Sequence, residues 1–237
     1  MAPSIEPAPQ TPRLLVLETS GRVGQVALAR GDELLGTRRL DEARRHARDL
    51  APQIAALLKE QNWRPRDLDA VIVSRGPGSY TGLRIGIMSA KTLAYAVGCA
   101  VIGIDTFAAV ALQAIPEVKT IDVIADAQQG RVYLQRFSCA PGALPSPLMP
   151  LQITTLAAWL ADRPHDAWAT GPGLHAYAKE VVEHALHQQY WDPRAESVLR
   201  LGADRLARGE RDDLLILEPL YLRPSGAEEK WTAQGKS

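Results

Sequence analysis

The residues best placed to do chemistry in this chain form one block, Ser74-Arg75-Gly76-Pro77-Gly78-Ser79-Tyr80-Thr81-Gly82-Leu83-Arg84-Ile85-Gly86-Ile87. It follows an apolar run at 68–73, breaks regular structure at Gly-Pro-Gly, and opens an apolar helix. Ser79 or Thr81 is placed to cap that helix, because a side-chain oxygen there can accept from an orphan backbone N–H. A strand, a Gly-rich turn and a helix N-terminus together can cradle an anion. The same arrangement also serves simply to join a strand to a helix. No Gly-Lys-Ser/Thr follows the glycines, and a third Gly at dinucleotide spacing is missing, so neither familiar phosphate loop is present.

Two carboxylates stand at comparable places. Glu18 ends the apolar run 14–17 and Asp126 ends the run 121–125, and each precedes a Gly-Arg-Val turn at Gly21 and Gly130. A carboxylate there can face a ligand, or accept from the N–H groups of its own turn. Ser79 and Thr81 have no base and orienting acid nearby in sequence, so nothing points to a nucleophile. A metal pair on a helix needs imidazoles at i and i+4. His46-Ala47-Arg48-Asp49-Leu50 has only the first, and Leu50 argues against a metallopeptidase; His46 reads as a packing or capping residue. His184 and His187 lack an evident third ligand. No metal site is expected.

The elements that must position these residues are legible in outline. Runs at 14–17, 23–29 and 33–40 make an antiparallel meander, and a helix over 42–61 carries Ala43, Ala47, Leu50, Ile54 and Leu57 in one stripe, with Pro52 inside it. A strand at 68–73, a helix at 81–97 that is apolar on nearly every face, and a strand at 101–104 follow. The pattern then restarts at 121–125 and 131–137, a diverged internal duplication that argues for two lobes. Beyond a Pro/Gly-rich loop at 139–150 come a helix at 154–160, a strand at 165–169, a second Gly-Pro-Gly turn at Gly171 and Gly173, and a helix reaching 189. A helix at 202–209 and a strand near Leu220 end the folded part. The boundaries expected are a disordered extension at 1–12, lobes at 13–104 and 105–223, and a polar tail at 224–237.

Composition narrows the function classes. The 237 residues are 46% hydrophobic and 23% charged, with 27 basic against 27 acidic side chains. A chain of net charge zero is poorly suited to grip nucleic acid by itself, since phosphate binding rests on accumulated Lys and Arg. Arg38, Arg39, Arg44 and Arg45 read as a solvated surface. Cys99 and Cys139 lack metal-ligand spacing and read as free thiols in a reducing cytoplasm. No signal peptide and no membrane span is expected.

Two acidic strand-turn-strand units and two Gly-Pro-Gly turns resemble the actin, Hsp70 and sugar-kinase (ASKHA) architecture: an α/β fold of duplicated ribonuclease H-like lobes, with mixed sheets flanked by helices. The block Arg75-Gly76-Pro77-Gly78-Ser79-Tyr80-Thr81-Gly82-Leu83-Arg84, with Asp126-Ala127 before Gly130-x-Val132-Tyr133 and Pro219-x-Tyr221-Leu222-Arg223, resembles the TsaB (YeaZ) family more narrowly, from about Leu14 to Trp231.

The resemblance implies a non-catalytic paralogue of the transferase TsaD. Such a chain would act with TsaD and the TsaE ATPase in a ternary complex that transfers a threonylcarbamoyl group to N6 of adenosine 37, in tRNAs reading codons that begin with A. It also implies a vestigial nucleotide site at Glu18, Asp126, Gly171 and Gly173. Glu18 stands where the family usually has Asp, and Arg131 where many relatives have Glu, so ATP or ADP with Mg is expected at most weakly or at the partner interface. A weak ATPase or small-molecule kinase is the competing reading.

An interface is expected on the first-lobe helices. Gly82, Gly86, Ala90 and Ala94 recur every four residues, a small-residue stripe that another helix can approach closely. Packing inside the lobe explains the stripe equally well. The family pairs these helices with TsaD, and a similar surface can form a homodimer. The expected interface is His46, Leu50, Ile54, Leu57, Gly82, Ile85, Gly86, Ala90 and Leu93, so Gly86→Leu should abolish the heterodimer and leave the monomer folded.

Overall fold

The computed structural model describes residues 11–40, 46–181 and 183–222. The expectations for 1–10 and 224–237, for Arg44, Arg45 and Arg223, and for the side chain of His46 lie outside the described part.

β1 (Arg13–Glu18) is apolar without interruption because both its faces are covered. Leu15 and Leu17 enter one core and Leu14 and Val16 the other, as a side-chain period of two requires. β1 pairs antiparallel with β2 (Gln25–Arg30) and parallel with β4 (Ala70–Gly76). β3 (Glu33–Arg39) flanks β2 and β5 (Ala100–Asp105) flanks β4, which gives the order β3-β2-β1-β4-β5.

The second sheet repeats this wiring. β6 (Thr120–Asp126) is its buried strand, β7 (Arg131–Ser138) its antiparallel return, and β10 (Trp168–Thr170) its parallel neighbour. Two short strands, β8 (Ser146–Pro147) and β9 (Gln152–Thr155), pair with β7 inside and just after the stretch read as loop. Mixed sheets flanked by helices, with one strand pattern used twice, make this an α/β fold of the ASKHA type. A buried charge pins the second sheet: Asp122, fully inaccessible, accepts from Arg136 Nε at 2.6 Å and from the Trp159 indole at 2.8 Å.

α1 (His46–Glu60) and α2 (Tyr80–Val97) cover one face of the first sheet. Pro52 lies inside α1, exposed, and the helix continues through it. Ser79 is the cap of α2, its Oγ accepting from Gly82 N at 3.2 Å, and Gly98 in the left-handed region ends it. α3 (Thr106–Ala111), unexpected from sequence, reaches both sheets. α4 (Leu156–Asp162) is capped by Thr155, while α5 spans only Leu174–Tyr177 and α6 runs Ala195–Ala207.

Several expectations are corrected. The helix expected to reach residue 189 stops at Tyr177, and the following chain instead lies against β10, where Ala169 N donates to His184 O at 2.7 Å and Leu186 N to Ala169 O at 2.9 Å. The last helix starts seven residues earlier than expected. Leu220 is in no strand; its N–H makes one bond, to Arg75 O at 2.7 Å. The largest revision concerns the lobes. Val198 and Leu199 of α6 pack with Leu14, Val16 and Ile72 of the first sheet, and Leu217 enters the core under α1 and α2. The chain therefore returns to the first lobe after residue 194 instead of remaining in the second.

Candidate functional site

The Gly-Pro-Gly turn sits where β4 meets α2, and two of the N–H groups there are already engaged by the chain itself. Ser79 N donates to Ser20 O at 2.8 Å, and Gly82 N is held by the Ser79 cap. A side chain on Gly78 would strike Ser20, and one on Gly82 would strike the Thr19 carbonyl. The turn after β1 thus packs directly on these two glycines. On its other side the block holds the C-terminal strap. Arg75 O receives Leu220 N, Arg75 Nε pairs with Asp105 at 2.6 Å, and Tyr80 stacks on Tyr221 with ring centroids 4.8 Å apart. Arg84 lies over the Tyr80 ring and donates from Nε to the Tyr221 hydroxyl at 3.2 Å. Gly76 and Pro77 form the bend between these contacts, and Thr81 is exposed on the first turn of α2.

The four residues expected at a vestigial nucleotide site do not form one cradle. Glu18 is fully buried; its Oε1 accepts from Ser20 N at 2.6 Å, Ser20 Oγ at 2.5 Å and Gly21 N at 3.2 Å. Burial raises its pKa above the ordinary carboxylate value despite these bonds. Gly171 and Gly173 are buried against β6: Gly173 N donates to Ile124 O at 2.9 Å, and a side chain on Gly171, at φ +108°, would strike that strand's backbone. They are close-packing glycines facing their own sheet. Only Asp126 faces solvent, and its Oδ1 accepts from Gln128 N at 2.7 Å and from the Tyr177 hydroxyl at 2.9 Å. Burial first, and the bond to Asp126 second, push the Tyr177 hydroxyl pKa up. A magnesium-bound phosphate does not fit: the first turn presents it no carboxylate. Among the described residues no cluster of three or more His, Cys, Asp or Glu could hold a metal ion. Both cysteine thiols are pushed up to about 11 by burial.

The expected interface is redrawn by the direction in which α2 faces. Gly82, Gly86 and Ala90 are buried against their own lobe, and a side chain on Gly86 would strike Thr19 Oγ1. Gly82 and Gly86 of the stripe are therefore the close contact between α2 and the turn after β1, Ala90 and Ala94 enter the core, and Gly86→Leu would disrupt the monomer itself. Leu57 is likewise core, and Ile85 is half-buried against that core. Ile54 and Leu93, half-buried, and Leu50, itself in the core, border a surface depression. With Ala51, Leu58, Met88, Thr92 and Ala96 they wall an apolar groove of about 770 Å³ between α1 and α2. Ala51, Met88, Thr92 and Ala96 were missed from sequence because helix periodicity tells how residues cluster and not which side of an all-apolar helix meets the sheet.

A family model described as "TsaD: tRNA N6-adenosine threonylcarbamoyltransferase" matches residues 41–144. The tRNA threonylcarbamoyladenosine biosynthesis protein TsaB of Bacillus subtilis is 30% identical over 235 residues, covering 94% of this chain and 99% of the relative. The Escherichia coli protein of the same name is 28% identical over 199 residues, covering 79% and 84%. The structure of YeaZ from Pseudomonas aeruginosa superposes with a TM-score of 0.76 at 27% identity, over 89% of this chain and all of that one. A relative of this identity along nearly its whole length, on the same two-lobed fold, means that the chain belongs to the family of the tRNA threonylcarbamoyladenosine biosynthesis protein TsaB.

Proposed function

We propose that this chain is a non-catalytic scaffold and activator subunit in threonylcarbamoyl transfer to N6 of adenosine 37, in tRNAs reading codons that begin with A. Its partners in this reading are a TsaD-like transferase, bound as a heterodimer, and a TsaE-like ATPase in a ternary complex. The tRNA is the substrate of the complex, acted on in the cytoplasm. The observation that carries the reading is the apolar groove between α1 and α2, which opens outward and suits the ridge of a partner helix. Family membership supports the link to this tRNA modification. The inward Glu18 carboxyl and the Gly-Pro-Gly turn packed on its own chain favour a supporting role over chemistry of its own. ATP or ADP with Mg binds at most weakly, or at the partner interface; a homodimer through the same groove is the form the free chain can take.

The test is reconstituted transfer to tRNA with the cognate transferase, ATPase and a source of activated donor, with and without this chain. Turnover that depends on the chain, and is lost in Leu93→Asp, supports the reading. Turnover indifferent to the chain sinks it, and the weak-ATPase alternative should then be assayed directly.

A further inference from the structure

Leu148 apart, every large apolar side chain exposed among the described residues lies on or beside one edge of α2: Met88 at 59% exposure, Tyr95 at 83%, Leu215 at 86%, Ile216 at 73% and Tyr221 at 39%. Met88 also lines the groove, while Leu215, Ile216 and Tyr221 belong to the C-terminal strap that Lys91 and Arg84 of α2 hold.

The strap is held firmly at the point where it is most apolar. Leu214 and Leu217 turn into the core beneath α1 and α2, which leaves Leu215 and Ile216 between them to face outward. Asp213 closes the turn, its Oδ1 accepting from Leu215 N at 2.7 Å and its carbonyl from Leu217 N at 2.9 Å. Lys91 of α2 clamps it from the side, donating from Nζ to Leu215 O at 3.3 Å and Leu217 O at 3.1 Å. Upstream, Asp212 receives Gly103 N at 2.7 Å, and downstream Tyr221 is stacked on Tyr80. Ordering exposed apolar side chains costs entropy that water does not return. Anchors fixed before contact lower the cost of binding, and buried anchors of this kind carry much of an interface's energy.

We propose that the Leu215–Ile216 turn and Tyr95 form a second, apolar ledge of the partner interface, covered by the same transferase subunit that seats in the α1–α2 groove. This rests on the reading of the groove given above. Continuity selects the occupant: Met88 lines the groove and lies one helical turn from both Arg84 and Lys91, so a body covering the crest of α2 abuts the ledge. Lys91 Nζ turns toward the carbonyls of Leu215 and Leu217, while the Leu215 and Ile216 side chains face outward.

The experiment is calorimetric titration of the full chain with the purified cognate transferase, using wild type, the pair Leu215→Ser with Ile216→Ser, Tyr95→Ser, and Leu93→Asp in the groove. Thermal melts check that each variant folds, and light scattering reports the state of the free chain. The proposal expects Kd to rise at least ~10-fold in the pair and in Tyr95→Ser, with melting midpoints near wild type. Weakening by Leu93→Asp with none in the pair or in Tyr95→Ser overturns the ledge alone. No weakening in any variant overturns the groove reading as well. Conversion of a free homodimer to monomer by the pair, with Kd for the transferase unchanged, assigns the ledge to a second copy and also overturns the proposal.

Discussion

The backbone N–H of Ser79 donates to the carbonyl oxygen of Ser20 at 2.8 Å, and this bond seats the turn after β1 on the N-terminus of α2. One N–H at the helix start is taken by the chain's own carbonyl and another by the Ser79 cap. The glycines at 78, 82 and 86 are what allow the two segments to come so close.

Gly86→Ala tests this joint. Its new methyl group meets Thr19 Oγ1, which is buried and cannot move into water. Overpacking of this kind costs about 1–3 kcal/mol, measurable as a lower urea midpoint at unchanged slope. The larger Gly86→Leu should fail to fold.

Glu18 makes stability depend on pH. Its folded pKa is raised by burial above the ordinary 4.5, so the native state binds the proton more tightly than the unfolded chain does. The sign follows: this contribution is fully present below 4.5 and is lost as pH rises through the folded value. Glu18→Gln keeps an acceptor for Ser20 and Gly21 without the ionisation. Urea titrations between acid and neutral pH should show wild-type stability falling relative to Glu18→Gln as pH rises; parallel profiles would contradict the assignment.

Asp122→Ala leaves the Arg136 guanidinium, about four-fifths buried, and the buried Trp159 indole without their acceptor. Breaking a buried pair by removing one partner costs about 3–5 kcal/mol. Calorimetric melting should show the loss, with Asp122→Asn, which still offers one acceptor oxygen, falling between.

Tyr221→Ala removes a ring that stacks on Tyr80 and accepts from Arg84. Because Tyr221 is partly exposed, the loss should be modest, about 1 kcal/mol. Hydrogen exchange should report it as faster exchange of the Leu220 amide, whose bond to Arg75 O depends on the strap staying in place.

Titration with ATP and magnesium should give no saturable heat up to roughly 1 mM, an affinity weaker than about −4 kcal/mol. Tight binding with turnover would favour the ATPase alternative.

The sequence by itself determined the strands and their duplication. An uninterrupted apolar run such as 14–17 reads as buried on both faces, and the turns after 14–17 and 121–125 repeat the same residue types. It narrowed the cap at the start of α2 to Ser79 or Thr81, and it pointed to the family, since the block from Arg75 to Arg84 is long and unusual in composition. Only the tertiary structure decided what the glycines serve. A stripe of small residues permits close approach but does not name the neighbour, and the neighbour proved to be Thr19 of the same chain. The same holds for the last third: α6 and the strap carry no local sign of which sheet they cover, and packing against β1 and β4 brings them home to the first lobe. Glu18 is the sharpest case. A carboxylate at the end of a strand reads the same whether it faces a ligand or its own turn, and only the positions of Ser20 and Gly21 settle that it turns inward.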